Sequence, residues 1–180
     1  GHMVASMLSE AELRHHAWNT AAPVVDPEIP VLTIADLGVL PTLESARLRL
    51  RPIREDDLAD LYAVFADPDV MRYWTRPPMR DIDEARAYLA EIENNFEART
   101  GFKWGITRLD HDHIIGTTSL FRLDTPHQTA EIGYALGSAH WGNGYAAEAV
   151  HRVCQFGFEA LQLRRIEADL ETVRQAHYAA

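Results

Sequence analysis

Two glycines separated by one residue, Gly142 and Gly144, follow a strand-like segment at 130–136 and precede a strongly helical one at 145–163. Glycines at such a junction expose successive backbone N–H groups at the start of a helix. These donors and the positive end of the helix dipole together favour an anionic phosphate group. The spacing therefore predicts a phosphate-binding loop over 142–147, with its N–H groups pointing to an open cleft.

Other glycine-rich phosphate motifs fit this stretch less well. A dinucleotide fingerprint requires Gly-x-Gly-x-x-Gly, and Ala147 occupies the place of the third glycine. Asp169 lies at roughly the distance of the acidic residue that binds the ribose, but no further strand–helix–strand repeat follows. A P-loop needs Gly-Lys-Ser/Thr, which is missing. A plain turn that caps a helix stays open as the structural alternative.

The stretch Trp141-Gly142-Asn143-Gly144-Tyr145-Ala146 resembles the pyrophosphate loop of the GNAT acyl-CoA N-acyltransferases, whose pattern is Gln/Arg-x-x-Gly-x-Gly/Ala. Trp141 replaces the usual basic residue, as in the branch that resembles the ribosomal-protein acetyltransferases RimJ and RimL. The resemblance covers residues 43–170 and implies an N-acetyltransferase that uses acetyl-CoA as co-substrate and no metal. The residues it assigns to acetyl-CoA are Leu136, Trp141, Gly142, Asn143, Gly144, Tyr145, Ala146 and Ala147.

Direct transfer to a primary amine requires a nearby group that accepts a proton. Within the resemblance, Glu131 borders the amine site and is the candidate base, while Tyr134 and Ser119 are candidates to line the acceptor channel. An exposed strand charge or a partner for an arginine is the alternative reading of Glu131. For Glu148, near the helix start, we expect a structural role. The acceptor, a protein N-terminus or a small amine, is left open.

Hydrophobic periodicity predicts the elements that position this loop. Alternating apolar and basic residues predict a strand over 46–53, whose arginines we interpret as a solvated face. Helices are expected over 55–65, 83–97 and 145–163, and further strands over 102–109, 114–123, 129–136 and 164–170. The last strand should lie parallel to its predecessor across the long helix. This order resembles the GNAT layout, an α/β fold (α+β, with a mixed sheet).

Two other candidate sites carry little chemistry. His111 and His113 flank Asp112 in a tight polar turn without an identifiable third metal ligand, so we expect a solvated turn and no metal. The single cysteine, Cys154, falls on the apolar side of the long helix, where we expect a packed thiol. One cysteine excludes an intramolecular disulfide and fits a reducing cytoplasm.

The composition is that of a globular protein of ordinary domain size. Of the 180 residues, 47% are hydrophobic and 24% are charged. The formal net charge of −10 argues against nucleic-acid binding, because no basic stripe offsets it. No apolar run approaches the roughly 20 residues that a membrane span needs. We therefore expect a cytoplasmic protein that acts on a small-molecule or peptide amine and has no membrane or nucleic-acid partner.

The first 40 residues differ from the rest, with one basic residue against five acidic ones. We divide the chain into an N-terminal arm at 1–40 (a tag remnant, a short helix and an apolar strand) and an acetyltransferase domain at 41–180. Residues 8–40 resemble the N-terminus of PaaD-like proteins, but the cysteine motif of that family is missing, so no function carries over. The apolar residues of 26–40 should be ordered against the domain.

GNAT proteins continue after the strand at 164–170 with an Asn-bearing loop, a helix and two closing strands, a pattern that residues 171–180 do not show. We therefore expect a GNAT-like fold that lacks its last helix and two strands. Three functions stay open: an active N-acetyltransferase, an acyl-CoA-binding module without turnover, and a non-enzymatic engineered or recombined chimera. An unpaired sheet edge and an apolar arm also predict a homodimer.

Overall fold

The computed structural model describes residues 33–168. In this part of the chain, six strands form one sheet in chain order: β1 (Leu43–Glu44), β2 (Leu48–Arg51), β3 (Gly101–Arg108), β4 (His111–Asp124), β5 (Thr129–Leu136) and β6 (Arg165–Ala168). The helices are α1 (Leu58–Phe65), α2 (Pro68–Met71), α3 (Ile82–Glu97) and α4 (Tyr145–Glu159), with 3-10 turns at Ile34–Asp36, Glu55–Asp57 and Ser138–His140. No helix among these residues is long and apolar enough to cross a membrane.

The strand directions make the sheet mixed. Neighbouring strands are antiparallel from β1 to β5, and β6 is parallel to β5. A parallel pair needs a crossover connection, which α4 supplies. Thr129 lies opposite Arg165, and Ile132 lies opposite Ala168. The expected strand–loop–helix–strand unit and the mixed α/β sheet are therefore confirmed.

Two hydrophobic clusters cover the two faces of the sheet. On the face covered by α4, called here the α4 face, the rings of Phe156 and Trp104 pack edge to face, with 5.7 Å between centroids. Cys154 is buried in this cluster, and burial raises the pKa of its thiol to about 12, so the expected packed thiol is confirmed. On the opposite face, called here the α3 face, α1 and α3 pack together through Phe65 and Tyr88, with ring centroids 5.0 Å apart.

The long helix is shorter than its apolar periodicity predicts. Expected over 145–163, it ends at Glu159. Gln162 then adopts a left-handed φ of 55°, and the N–H of Leu163 donates back to a carbonyl in the last helical turns at 2.9 Å. Leu161 and Leu163 are nevertheless buried. The apolar pattern therefore continues past the end of the helix although the helical backbone does not.

The expectation of one solvated arginine face on β2 is wrong for Arg51, which is buried. Its guanidinium donates to both carboxylate oxygens of Asp57 at 2.8 Å, and its Nε donates to Asp112 at 2.7 Å. Burial would raise the pKa of Asp57, but hydrogen bonds from Arg51 and from the backbone N–H of Arg54 outweigh it and lower the pKa. The pair fixes the end of β2 to the turn that leads into α1.

The described end of the N-terminal arm, residues 33–40, packs on the domain. Ile34 and Leu37 are buried in the cluster on the α4 face. A 3-10 turn stands where an apolar strand was expected, because the Thr33 hydroxyl caps it by accepting from the Asp36 N–H at 3.3 Å. The remainder of the arm, with its expected helix and tag remnant, lies outside the described residues.

Candidate functional site

The predicted phosphate-binding loop connects β5 to α4. After the 3-10 turn at Ser138–His140, the chain passes through Gly142 and Gly144 with φ values of 82° and 76°. Glycine adopts these left-handed values without strain. α4 begins at Tyr145 with Gly144 as its N-cap. Because glycine has no side-chain oxygen, this cap leaves the N–H groups of the first turn open.

The backbone N–H groups of residues 142–147 find no acceptor among residues 33–168. The first bond of the helix is donated by Glu148 to the Gly144 carbonyl at 3.1 Å. Gly142 and Asn143 are exposed. Unpaired donors at the positive end of a helix form an anion-binding arrangement.

Side-chain hydrogen bonds from three residues hold the loop in this shape. The Trp141 indole N–H donates to the Leu136 carbonyl at 2.8 Å, so the ring closes the loop back onto β5. The Asn143 amide donates to the His140 carbonyl at 3.1 Å. Arg47 Nη1 donates to the Asn143 carbonyl at 2.8 Å. Trp141 and Asn143 therefore shape the loop, which is a role that the motif alone does not assign to them.

Glu148, in the first turn of α4, anchors the helix to the β1–β2 turn. One carboxylate oxygen accepts from Arg47 Nε at 2.8 Å, and the other accepts from the Arg47 backbone N–H at 3.0 Å and the Ser45 hydroxyl at 2.6 Å. Burial would raise the pKa of Glu148, but the hydrogen bonds from Ser45 and Arg47 lower it overall. The geometry agrees with the structural role expected for Glu148.

Arg47 also places positive charge beside the loop, which the sequence pattern missed by assigning it to a solvated strand face. Its Cζ lies 4.7 Å from the centroid of the Tyr145 ring, and a Cβ at Gly144 would lie 3.4 Å from its Nη2. The Arg47 side chain is 48% exposed. An anion at the loop would therefore meet both the open N–H groups and an accessible guanidinium. No local sequence signal could reveal that Arg47 lies beside the loop, because Arg47 and its partner Glu148 are 101 positions apart.

Glu131 and Tyr134, the two candidate catalytic residues, lie on opposite faces of the sheet. Glu131 lies on the α3 face, where both its oxygens accept from Arg122 Nη1 at 2.8 and 3.1 Å. Tyr134 is 9% exposed and belongs to the cluster on the α4 face. The structure does not bring the two together, and it shows the arginine partner that was the alternative for Glu131. Their catalytic roles stay predictions.

We take the α3 face of β5 beside Ser119 and Gly133 as the candidate acceptor groove. Ser119 and Gly133 are direct partners in β4 and β5. A Cβ at Gly133 would meet the Phe121 ring, at 3.3 Å, and the Ser119 hydroxyl, at 4.0 Å, and no helix residue of the described chain within 4 Å. Ser119 and Gly133 thus add little side-chain bulk to this face beside Glu131, and their role as an acceptor channel stays a prediction.

A pocket of about 380 Å³ lies between α1, the β3–β4 turn and the Ser138–His140 turn. It is lined in part by His111 and His113, which are exposed as expected. His113 Nδ1 lies 3.2 Å from an Asp60 carboxylate oxygen. Within residues 33–168, no group of three or more His, Cys, Asp or Glu side chains could hold a metal ion.

Comparison with known proteins identifies the family. The model of the acetyltransferase (GNAT) domain matches residues 47–176. The uncharacterized N-acetyltransferase YoaA of Bacillus subtilis is 36% identical over 138 residues, which cover 77% of this chain and 78% of YoaA. The chain therefore belongs to the GNAT acetyltransferase family. The family match begins at residue 47, so the resemblance of residues 8–40 to PaaD-like proteins stays a prediction.

Solved structures establish the same fold. A proposed ribosomal-protein-serine acetyltransferase from Vibrio cholerae has a TM-score of 0.67 and 23% identity, covering 77% of this chain and 79% of that one. The spermidine N-acetyltransferase of Vibrio cholerae, solved with CoA and spermine, has a TM-score of 0.63 and 20% identity over 74% of this chain and 78% of its own. At these identities the likeness concerns the fold.

Proposed function

We propose that this chain is an acetyl-CoA-dependent N-acetyltransferase that transfers an acetyl group directly to a primary amine. The observation that carries the proposal is the row of open N–H groups over residues 142–147, at the start of α4. Membership of the GNAT family supports the class of reaction. The relatives named above differ in their described acceptors, so family membership does not fix the acceptor.

The open donors and the nearby positive charge of the loop support binding of a pyrophosphate group. Phosphate oxygens accept hydrogen bonds from backbone N–H groups at helix starts. The open donors of residues 142–147 would provide these bonds, and Gly142, Gly144 and Ala147 keep bulky side chains away from them. Arg47 would add a charge-assisted contact. Leu136 has a buried side chain and a carbonyl bound to Trp141, so it would support the loop instead of contacting the coenzyme through its side chain.

The thioester of acetyl-CoA supplies an activated acyl group. The protein would hold the amine beside β5, so that the new C–N bond forms as the C–S bond breaks, and would take up the proton that the amine loses. We assign the proton to Glu131 through a water molecule, and a proton from solvent to the leaving thiolate. Glu131 would then exchange part of its contact with Arg122 for that water. Ser119 would line the channel.

Two experiments on the same protein separate the proposal from its alternatives. Calorimetry measures acetyl-CoA binding, and a thiol reagent measures CoA release with and without a panel of primary amines. We expect binding together with amine-dependent release. Binding without release would favour an acyl-CoA-binding module, and the absence of both would favour the non-enzymatic chimera.

We also propose a homodimer. Large hydrophobic side chains remain exposed on the described surface, among them Val39 at 77% and Tyr73 at 46%, and a two-fold interface is the commonest way to cover such residues. Light scattering at low micromolar concentration should give twice the 20.3 kDa chain mass. A monodisperse particle of one chain mass would contradict the dimer.

A further inference from the structure

Lys103 is the one lysine of this sequence, and the other 16 basic residues are arginines. It lies on β3 between Phe102 and Trp104, which are both fully buried. Its own side chain points to the opposite face, the α3 face, where it reaches Tyr88 of α3. A single ammonium group thus stands on the face that carries the proposed acceptor groove.

The Lys103 ammonium is surrounded by aromatic rings and lacks a carboxylate partner among residues 33–168. Its Nζ donates to the Tyr88 hydroxyl and lies 4.7 Å from the Tyr88 centroid and 5.6 Å from the Trp74 centroid. Aromatic rings attract a cation but provide no full negative charge. Glu91, which acts electrostatically with Lys103, is held by both Nη atoms of Arg76 at 2.7 and 3.0 Å.

Strand register connects this ammonium to the groove. Lys103 pairs with Ser119, and Ser119 pairs with Gly133, so the three residues form one row across β3, β4 and β5. Two inter-strand spacings of about 4.8 Å separate Lys103 from Gly133, or about 9.6 Å between backbones. The flexible stem of a lysine is long enough to cover part of this distance. A small molecule whose amine lies beside β5 could therefore reach Lys103 with its other end.

The β5–β6 end of this face carries two carboxylates, each held by an arginine: Arg122 lies 2.8 Å from Glu131, and Arg165 lies 3.1 Å from Glu167. Glu131 and Glu167 are paired across β5 and β6, on the same face as the Lys103 row. An acceptor whose ammonium group lies beside β5 would have these carboxylates as neighbours, and a carboxylate at its other end would meet the Lys103 ammonium. A polyamine would instead place a second cation next to Lys103, and like charges repel.

We propose that Lys103 binds the carboxylate of the acceptor, so that the acceptor is a small primary amine of the amino-acid class. This inference rests on the proposed N-acetyltransferase function. It makes Lys103 a residue that determines specificity, while the acetyl-CoA site at residues 142–147 is separate from it. Lysine suits this role because its ammonium is a compact point charge on a flexible stem.

Matched acceptors test the assignment. The specificity constant kcat/KM is measured for amino acids and for their carboxamides, with spermidine as a polycation, in the wild type and in Lys103→Met and Lys103→Arg. The wild type should prefer each amino acid to its carboxamide by about 10-fold or more, the size expected for a charge-assisted bond. Lys103→Met should abolish the preference without changing the KM for acetyl-CoA, and Lys103→Arg should keep part of it. Equal rates within each pair in the wild type, or an equal loss for both members in Lys103→Met, would overturn the proposal.

A binding readout keeps the test independent of turnover. Protein labelled with ¹³C at the lysine Cε gives a single lysine signal, since the chain has one lysine. With CoA present, an N-acetyl amino acid should shift this signal, and its carboxamide should not. No shift at millimolar N-acetyl amino acid would overturn the carboxylate site. Failure of the acetyltransferase proposal itself would be recognised separately, as absence of acetyl-CoA binding in calorimetry.

Discussion

Glu148 and Arg47 form an ion pair of 2.8 Å that joins the first turn of α4 to the turn before β2. The same arginine donates to the carbonyl of Asn143 inside the glycine loop. One carboxylate therefore fixes both the helix that provides the open N–H groups and the cation that lies beside them. The loop depends on a contact between distant parts of the chain as well as on its own glycines.

Glu148→Gln should destabilise the protein and weaken acetyl-CoA binding. The carboxylate accepts three hydrogen bonds from Arg47 and Ser45, and the amide group of glutamine would turn a donor toward one of these donors. Leaving a partly buried donor unsatisfied costs about 1–2 kcal/mol in the free energy of unfolding. Chemical denaturation measures the loss. The control is Glu93→Gln, on the exposed surface of α3; an equal effect of the two substitutions would contradict the anchoring role.

Asp57→Asn should destabilise the fold more than Glu148→Gln does. It leaves Arg51 buried without its bidentate partner, although Asp112 still accepts from Nε. Breaking a buried pair from one side costs about 3 kcal/mol. The matched control is Asp56→Asn, at the neighbouring exposed position, which should stay within about 0.5 kcal/mol of the wild type.

The same pair predicts a pH dependence of stability. Because the pKa of Asp57 is lower in the folded state than in the unfolded chain, its contribution is fully present above the unfolded value of about 3.9 and is lost as the pH falls through the folded pKa. The wild type should therefore lose stability below about pH 4 more steeply than Asp57→Asn. Parallel acid limbs in urea titrations would show that Asp57 does not contribute.

Gly116→Ala should destabilise the sheet next to the loop. A Cβ at Gly116 would lie 2.3 Å from the Ala135 carbonyl oxygen and 3.0 Å from the Leu136 Cα, and neither backbone atom can move aside. Overpacking of this kind costs about 2 kcal/mol or more. Gly101→Ala is the control, since its Cβ would find its nearest atom at 3.6 Å. Equal melting temperatures for the two variants would refute the close approach of β4 and β5.

The part of the site that follows from local sequence is the junction of β5 and α4. Apolar periodicity and the presence of glycine are local properties of the sequence. They determine the strand at 129–136, the start of the helix at Tyr145 and the left-handed backbone of Gly142 and Gly144. Parallel pairing of β6 with β5 also follows from the sequence, because the helix between these two strands provides the crossover connection that a parallel pair needs.

Tertiary partners set the features that the sequence could not predict. Arg47 and Arg51 occupy similar places in one alternating pattern, yet one borders the glycine loop and the other is buried with Asp57. The faces of Glu131 and Tyr134 follow from alternation along β5, but which helix covers each face depends on the packed fold. The importance of Lys103 likewise depends on Tyr88, which α3 brings to it.

Calorimetric titration of acetyl-CoA into wild type, Gly144→Glu and Gly38→Glu tests the central claim, that the loop at the start of α4 binds the coenzyme. Gly144 has a φ of 76° and lies among the open N–H groups, so glutamate there adds strain, bulk and negative charge where a phosphate should bind. Gly38 is exposed, and a Cβ there meets no atom within 4 Å. We expect binding by the wild type and Gly38→Glu and no detectable binding by a folded Gly144→Glu, whereas wild-type affinity in Gly144→Glu would contradict the assignment.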